Sequence, residues 1–123
     1  MAEVVYESTV TAVGELVSDF RDQGLLVWFG EGAPAELHEF SILHKVAHQK
    51  RAPEPGDMIK INNEEFTVLA VGSVSSDNLL NLGHLDLKAN GLTEAELPGD
   101  VNVEECELPM IKVGDILQVI AAS

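Results

Sequence analysis

The chain holds one cysteine, Cys106, in 123 residues, so no disulfide can form within it. Basic residues are equally scarce: 7 Lys and Arg stand against 21 Asp and Glu, a formal charge of −14. That balance argues against nucleic acid and anionic membrane surfaces as partners. It suits a basic protein partner, or simply a well-solvated surface. No apolar run approaches the roughly 20 residues that a membrane-crossing helix needs. The start, Met1 to Glu7, carries acids where a signal peptide would carry basic residues. Together with the lone thiol, this points to the cytoplasm. There is no metal-ligand cluster and no glycine-rich phosphate loop, so nothing in the pattern calls for a cofactor. By elimination a histidine, foremost His44, is the best candidate for any chemistry.

What is present is a globular pattern. Hydrophobic residues make up 46% of the chain, enough for one core in a single domain spanning 1–123. Val4 to Val13 reads as a first strand, Asp19 to Gly24 as a loop, and Leu25 to Phe29 as a short buried strand between glycines. Pro53-Glu54-Pro55-Gly56-Asp57 is a turn signal. Met58 to Ile61 and Glu64 to Val71 flank Asn62-Asn63 as a tight hairpin. Ser75-Ser76-Asp77 reads as the cap of a helix over Asn78 to Leu82, with Gly83 as its stop. His84 to Lys88 alternates, Leu85 and Leu87 facing one way and His84, Asp86 and Lys88 the other. Val101 to Val103 and Ile116 to Ile120 complete seven or so short strands. The expected fold is all-β: a small closed barrel of mostly antiparallel strands with one or two short helical turns.

The segment around His44 admits two readings. Pro34-Ala35-Glu36 resembles a first helical turn. Strand spacing instead puts His38, Phe40, Ile42, His44, Val46 and His48 on one face. A helical turn near 34–38 followed by a strand through His44 accommodates the β-branched residue and the strand-rich surroundings. On that reading His44 lies between Ile42 and Val46 on an apolar face, where desolvation keeps an imidazole neutral. Lys45 points away from it.

Several ordered stretches resemble one family. They are Glu31-Gly32-Ala33-Pro34-Ala35-Glu36-Leu37, then Phe40 to His44, Thr67 to Val74 and Asp77-Asn78-Leu79. Leu82-Gly83-His84-Leu85-Asp86-Leu87, Gly91-Leu92 and Ala95 to Gly99 follow. Across almost the whole chain, this set is similar to the glucitol/sorbitol-specific IIA component of the bacterial phosphoenolpyruvate-dependent sugar phosphotransferase system. The resemblance implies a cytosolic all-β barrel that takes a phosphoryl group from the phosphocarrier protein HPr on one histidine. It then passes the group to the IIB component of a hexitol transporter. The chain would then meet the membrane only through that transporter. The family's phosphohistidine matches His44; His38 and His48 inherit no role.

The chemistry fits an imidazole, which is unprotonated near neutral pH and forms a reactive phosphoramidate. Charge spread over the moving phosphoryl group calls for nearby cations. Lys45, Lys50 and Arg51 are three of the seven basic residues. Lys50 and Arg51 would have to fold back to reach His44; alternatively they decorate a solvated turn. His84 could orient His44 or bind phosphoryl oxygens, or it could be a structural histidine. Glu31, Glu36 and Glu39 would meet a basic rim on HPr. A different class stays open: a non-catalytic β-barrel binding or regulatory module with structural histidines. A zinc site from His44 and His48 lacks a third ligand. Acidic neighbours make Cys106 an inert thiol rather than a nucleophile. Trp28 reads as core.

Overall fold

The computed structural model of the chain describes residues 2–122. Eight strands close into one barrel: β1 Val4–Val13, β2 Leu25–Gly30, β3 Ile42–Gln49, β4 Met58–Ile61, β5 Glu64–Val71, β6 Leu85–Lys88, β7 Asp100–Val103 and β8 Ile116–Ile120. Their order around it is β1-β3-β2-β6-β7-β5-β4-β8. Most pairs are antiparallel, as the sequence suggested, but β2–β3 and β6–β7 run parallel. Closure gives every strand a partner on each side along part of its length, which guards so strand-rich a chain against edge-to-edge association.

Alternation builds the core. Tyr6, Ser8 and Val10 of β1 face inward, with Leu26 and Trp28 of β2, Leu85 and Leu87 of β6 and Leu117 and Val119 of β8, and all are buried. Each large apolar side chain among them contributes about 1.5–3 kcal/mol by leaving water. The Asn62-Asn63 hairpin forms, with Asn62 in the left-handed region at φ 55°, a conformation asparagine tolerates better than most.

Three short helical segments decorate the barrel. The segment expected as a loop after Asp19 is partly helix α1, Val17–Asp22. Its Val17 is buried and its Phe20 ring packs edge-on against Phe40, centroids 5.9 Å apart. Burial of Val17 and the packing of Phe20 outweigh a polar composition. A 3₁₀ turn covers Ala35–Phe40, ending two residues later than the sequence suggested, and β3 begins at Ile42. Helix α2 runs Ser75–Leu82, and Gly83 ends it in the left-handed conformation. The expected serine cap does not form: Ser75 is already helical, and its hydroxyl donates back to the Gly72 carbonyl at 2.9 Å.

Candidate functional site

His44 sits where β3 leaves the shelter of the barrel. Its β1 neighbour is Val10, and on the other side Gly30 ends β2 opposite it. The residue is 1% exposed. Its ring lies against Trp28 and Tyr6, centroids 5.4 Å and 6.4 Å away. Both ring nitrogens are engaged: Nδ1 is 2.6 Å from the Ser8 hydroxyl, and Nε2 is 2.7 Å from the Gly83 carbonyl. A carbonyl can only accept, so Nε2 carries a hydrogen. In the neutral ring Nδ1 then accepts from Ser8. Burial lowers the imidazole's pKa from its ordinary 6.5, and the Gly83 carbonyl, which favours the charged form, opposes this only in part. The ring is therefore neutral at pH 7.

Two glycines bring the Gly83 carbonyl to the ring. Gly83 lies at φ 66°, and a Cβ there would stand 2.6 Å from the Gly30 nitrogen, 2.8 Å from the Gly30 Cα and 3.3 Å from His44 Nε2. A Cβ on Gly30 would stand 2.9 Å from the Leu82 carbonyl oxygen. Only bare backbones can approach this closely. The end of α2 thus lies directly on the end of β2, beside His44.

His44 is one of the residues lining a cavity of about 670 Å³, with Phe29, Gly30, Leu37, Lys45, Val46, Leu80, Leu82 and Gly83 among the others; Gly83, whose carbonyl holds Nε2, is part of the same wall. Its rim is apolar and open: Val46 is 40% exposed and Leu82 59%. Lys45 also lines this cavity and is exposed, although alternation sets its side chain on the face of β3 opposite His44. The reason is that β2 stops at Gly30 while β3 continues to Gln49. Beyond His44 the β2 side of β3 is bare, and the cavity reaches round it. Among the described residues Lys45 makes no ion pair.

The other candidates are placed elsewhere. Lys50 pairs with Glu3 at 2.7 Å, and Arg51 grips Asp57 with both terminal nitrogens, at 2.7 and 3.1 Å. Neither lines the cavity around His44. They do not fold back, because β3 carries the chain away from the cavity and acids wait at its far end. His84 follows Gly83 in sequence but turns away. Its Nδ1 donates to the Trp28 carbonyl at 3.2 Å, its Nε2 is 3.5 Å from Asp86, and its ring stacks on Phe29 at 4.1 Å. Thus it touches the cavity wall from behind rather than the His44 ring. His38 bonds the Ala33 carbonyl at 2.8 Å, and His48 is exposed. Glu31 lines the cavity, and Glu36 and Glu39 lie exposed on the 3₁₀ turn. Burial, then Glu104 and Glu64, raise the pKa of Cys106, leaving it a poor nucleophile at pH 7. Trp28 is fully buried.

Reasoning from sequence passed over Ser8 and the Gly83 carbonyl. Ser8 carried a signal, a hydroxyl at an inward position of an alternating strand between Tyr6 and Val10. The Gly83 carbonyl carried none, since a backbone group has no letter of its own.

Comparison with known proteins identifies the family and supports the fold. The family model described as "PTS system glucitol/sorbitol-specific IIA component" matches residues 5–118. The PTS system glucitol/sorbitol-specific EIIA components of Shigella flexneri and of Escherichia coli (strain K12) are each 42% identical over 100 residues, 81% of either chain. The crystal structure of a PTS system IIA component from Enterococcus faecalis V583 has the same fold, with a TM-score of 0.84 over 94% of this chain and 99% of that one, at 24% identity. A matching model over nearly the whole chain and two relatives well above chance identity leave one assignment: the chain belongs to the glucitol/sorbitol-specific IIA component family of the sugar phosphotransferase system.

Proposed function

We propose that the chain is a phosphocarrier in which His44 Nε2 accepts a phosphoryl group from phospho-HPr and passes it to the IIB component of a glucitol/sorbitol transporter. The observation that carries this reading is the ring's setting. His44 is neutral, held at both nitrogens, and lines a cavity with an open apolar rim. A relay ring needs this combination: a neutral imidazole at pH 7 that can free a lone pair on Nε2 once the Gly83 bond opens, fixed direction, and a surface on which another protein can seat.

The residues divide the work as follows. Lys45 supplies the cation at the cavity, taking the role expected of Lys50 and Arg51. Leu80, Leu82 and Val46 exclude water once a partner docks, which strengthens the electrostatics of transfer. Glu31, Glu36 and Glu39 steer a basic partner with a contact weak enough to separate. For Nε2 to attack, its bond to the Gly83 carbonyl must open, so the last turn of α2 yields as the donor arrives. His84 holds the wall formed by Phe29 and does not touch the phosphoryl group.

The test is incubation with phosphoenolpyruvate, enzyme I and HPr, followed by intact mass. The expected result is a gain of one acid-labile phosphoryl group, absent in His44→Ala. A group that persists in that variant moves the site. No gain at all in the unaltered chain leaves the non-catalytic module as the better reading.

A further inference from the structure

We propose that Ser8 is a positioning residue of the phosphoryl transfer: its hydroxyl holds His44 Nδ1, first as donor and then as acceptor, so that the phosphoryl group goes to Nε2. The inference rests on the carrier reading above and adds a residue that the family motif did not supply.

The geometry is specific. Ser8 is 0% exposed and inward-facing on β1, level with Val46 across the β1–β3 pair. Most inward neighbours are apolar, and burying a hydroxyl is unfavourable unless it is paired. Its side-chain partner is His44 Nδ1 at 2.6 Å. That contact ties Nδ1 to a buried residue of β1 and leaves Nε2 on Gly83, a residue of the cavity wall.

The two nitrogens must exchange roles during transfer. At rest Nε2 carries the hydrogen, because it faces a carbonyl. Attack needs a lone pair on Nε2 and hence a hydrogen on Nδ1. As the Gly83 bond opens, solvent water takes the proton from Nε2 and returns one to Nδ1, so the ring stays neutral and no net proton is gained or lost. Ser8 then turns from donor to acceptor, which a hydroxyl does by rotating and which neither an alkyl group nor a carbonyl can do. In the step itself the Nε2–phosphorus bond forms as the phosphorus–nitrogen bond to the donor's protonated phosphohistidine breaks. The electron pair of the broken bond returns to the donor ring, which leaves as neutral imidazole. His44 is left with the phosphoryl group on Nε2 and a hydrogen on Nδ1 donated to Ser8. The ring is then protonated and its phosphoryl group labile, ready for the next partner.

The experiment uses the full chain with ¹⁵N-labelled histidine. Long-range proton–nitrogen spectra read the resting tautomer and the phosphorylated nitrogen, and HPr titration separates kcat from KM. The unaltered chain should rest as the Nε2–H tautomer and carry phosphoryl on Nε2. Ser8→Ala should keep the resting Nε2–H tautomer, which the Gly83 carbonyl sets, and lower kcat by about tenfold with little change in KM for phospho-HPr, because Nδ1–H loses its acceptor during transfer. Ser8→Thr, which keeps the hydroxyl, should recover most of the rate. Phosphoryl on Nδ1 of the unaltered chain overturns the inference, as does a Ser8→Ala protein with the original rate. Absence of any phosphoryl group on His44 fells the carrier reading itself, and the inference with it.

Discussion

Replacing Gly83 with alanine tests the site's architecture most directly, because two separable effects meet there. The first is conformational. Gly83 lies at φ 66°, and a side chain in that region adds about 1–2 kcal/mol. The second is steric. The new Cβ would fall 2.6 Å and 2.8 Å from Gly30 backbone atoms, which cannot swing aside as a flexible side chain can. Crowding of this kind adds about 1–3 kcal/mol. The sum is about 2–5 kcal/mol, and in a chain of this size each kcal/mol lowers Tm by about 3–5 °C. Two other glycines separate the terms. Gly114 has φ 95° and nothing within 4 Å of its Cβ position, so Gly114→Ala reports the conformational part alone. Gly32 has open space and no positive φ, so Gly32→Ala should change stability by about 0.5 kcal/mol or less in either direction. Urea unfolding of the three variants should rank Gly83→Ala well below Gly114→Ala, with Gly32→Ala near the unaltered protein. Still-folded Gly83→Ala should also accept phosphoryl more slowly, since its Cβ stands 3.3 Å from His44 Nε2. Equal loss at positions 83 and 114 would refute the close α2–β2 approach on which the site description depends.

Lys45→Gln should slow phosphorylation by about tenfold or more in single-turnover assays, whereas Lys50→Gln should leave it within about twofold; the reverse order would return the cationic role to the β3 terminus. Arg51→Ala should destabilise the fold by about 2–4 kcal/mol, because Asp57 is 2% exposed and would keep its charge with only the Glu54 and Ala122 N–H groups to hold it. Burial pushes the Asp57 carboxyl up, but Arg51 and those N–H groups outweigh it and hold the folded pKa below the ordinary 3.8. Its contribution is therefore present above pH 4 and fades as pH falls through the lowered value. The gap between the unaltered chain and Arg51→Ala, followed by denaturant unfolding at several pH values, should narrow in acid; a gap independent of pH would show that Arg51 acts through packing alone.

Local alternation, turn chemistry and an ordered set of motifs were enough to read the barrel class, most strand positions, the Asn62-Asn63 hairpin, the Gly83 stop and the family. These are properties of short segments, and the residues that set them are adjacent in the chain. Alternation also put His44 on an apolar face between Ile42 and Val46. What only the tertiary structure decided is what surrounds that ring. Ser8 arrives from 36 positions away and the Gly83 carbonyl from 39, through pairing and a glycine-to-glycine approach that no local pattern encodes. The parallel β2–β3 pair, and the point at which β2 ends, expose Lys45 to the cavity. The same closure carries Lys50 and Arg51 off to Glu3 and Asp57. Periodicity tells which way a side chain leaves its own strand; where the neighbouring strand stops, and which backbone lies above it, is decided only when the barrel closes.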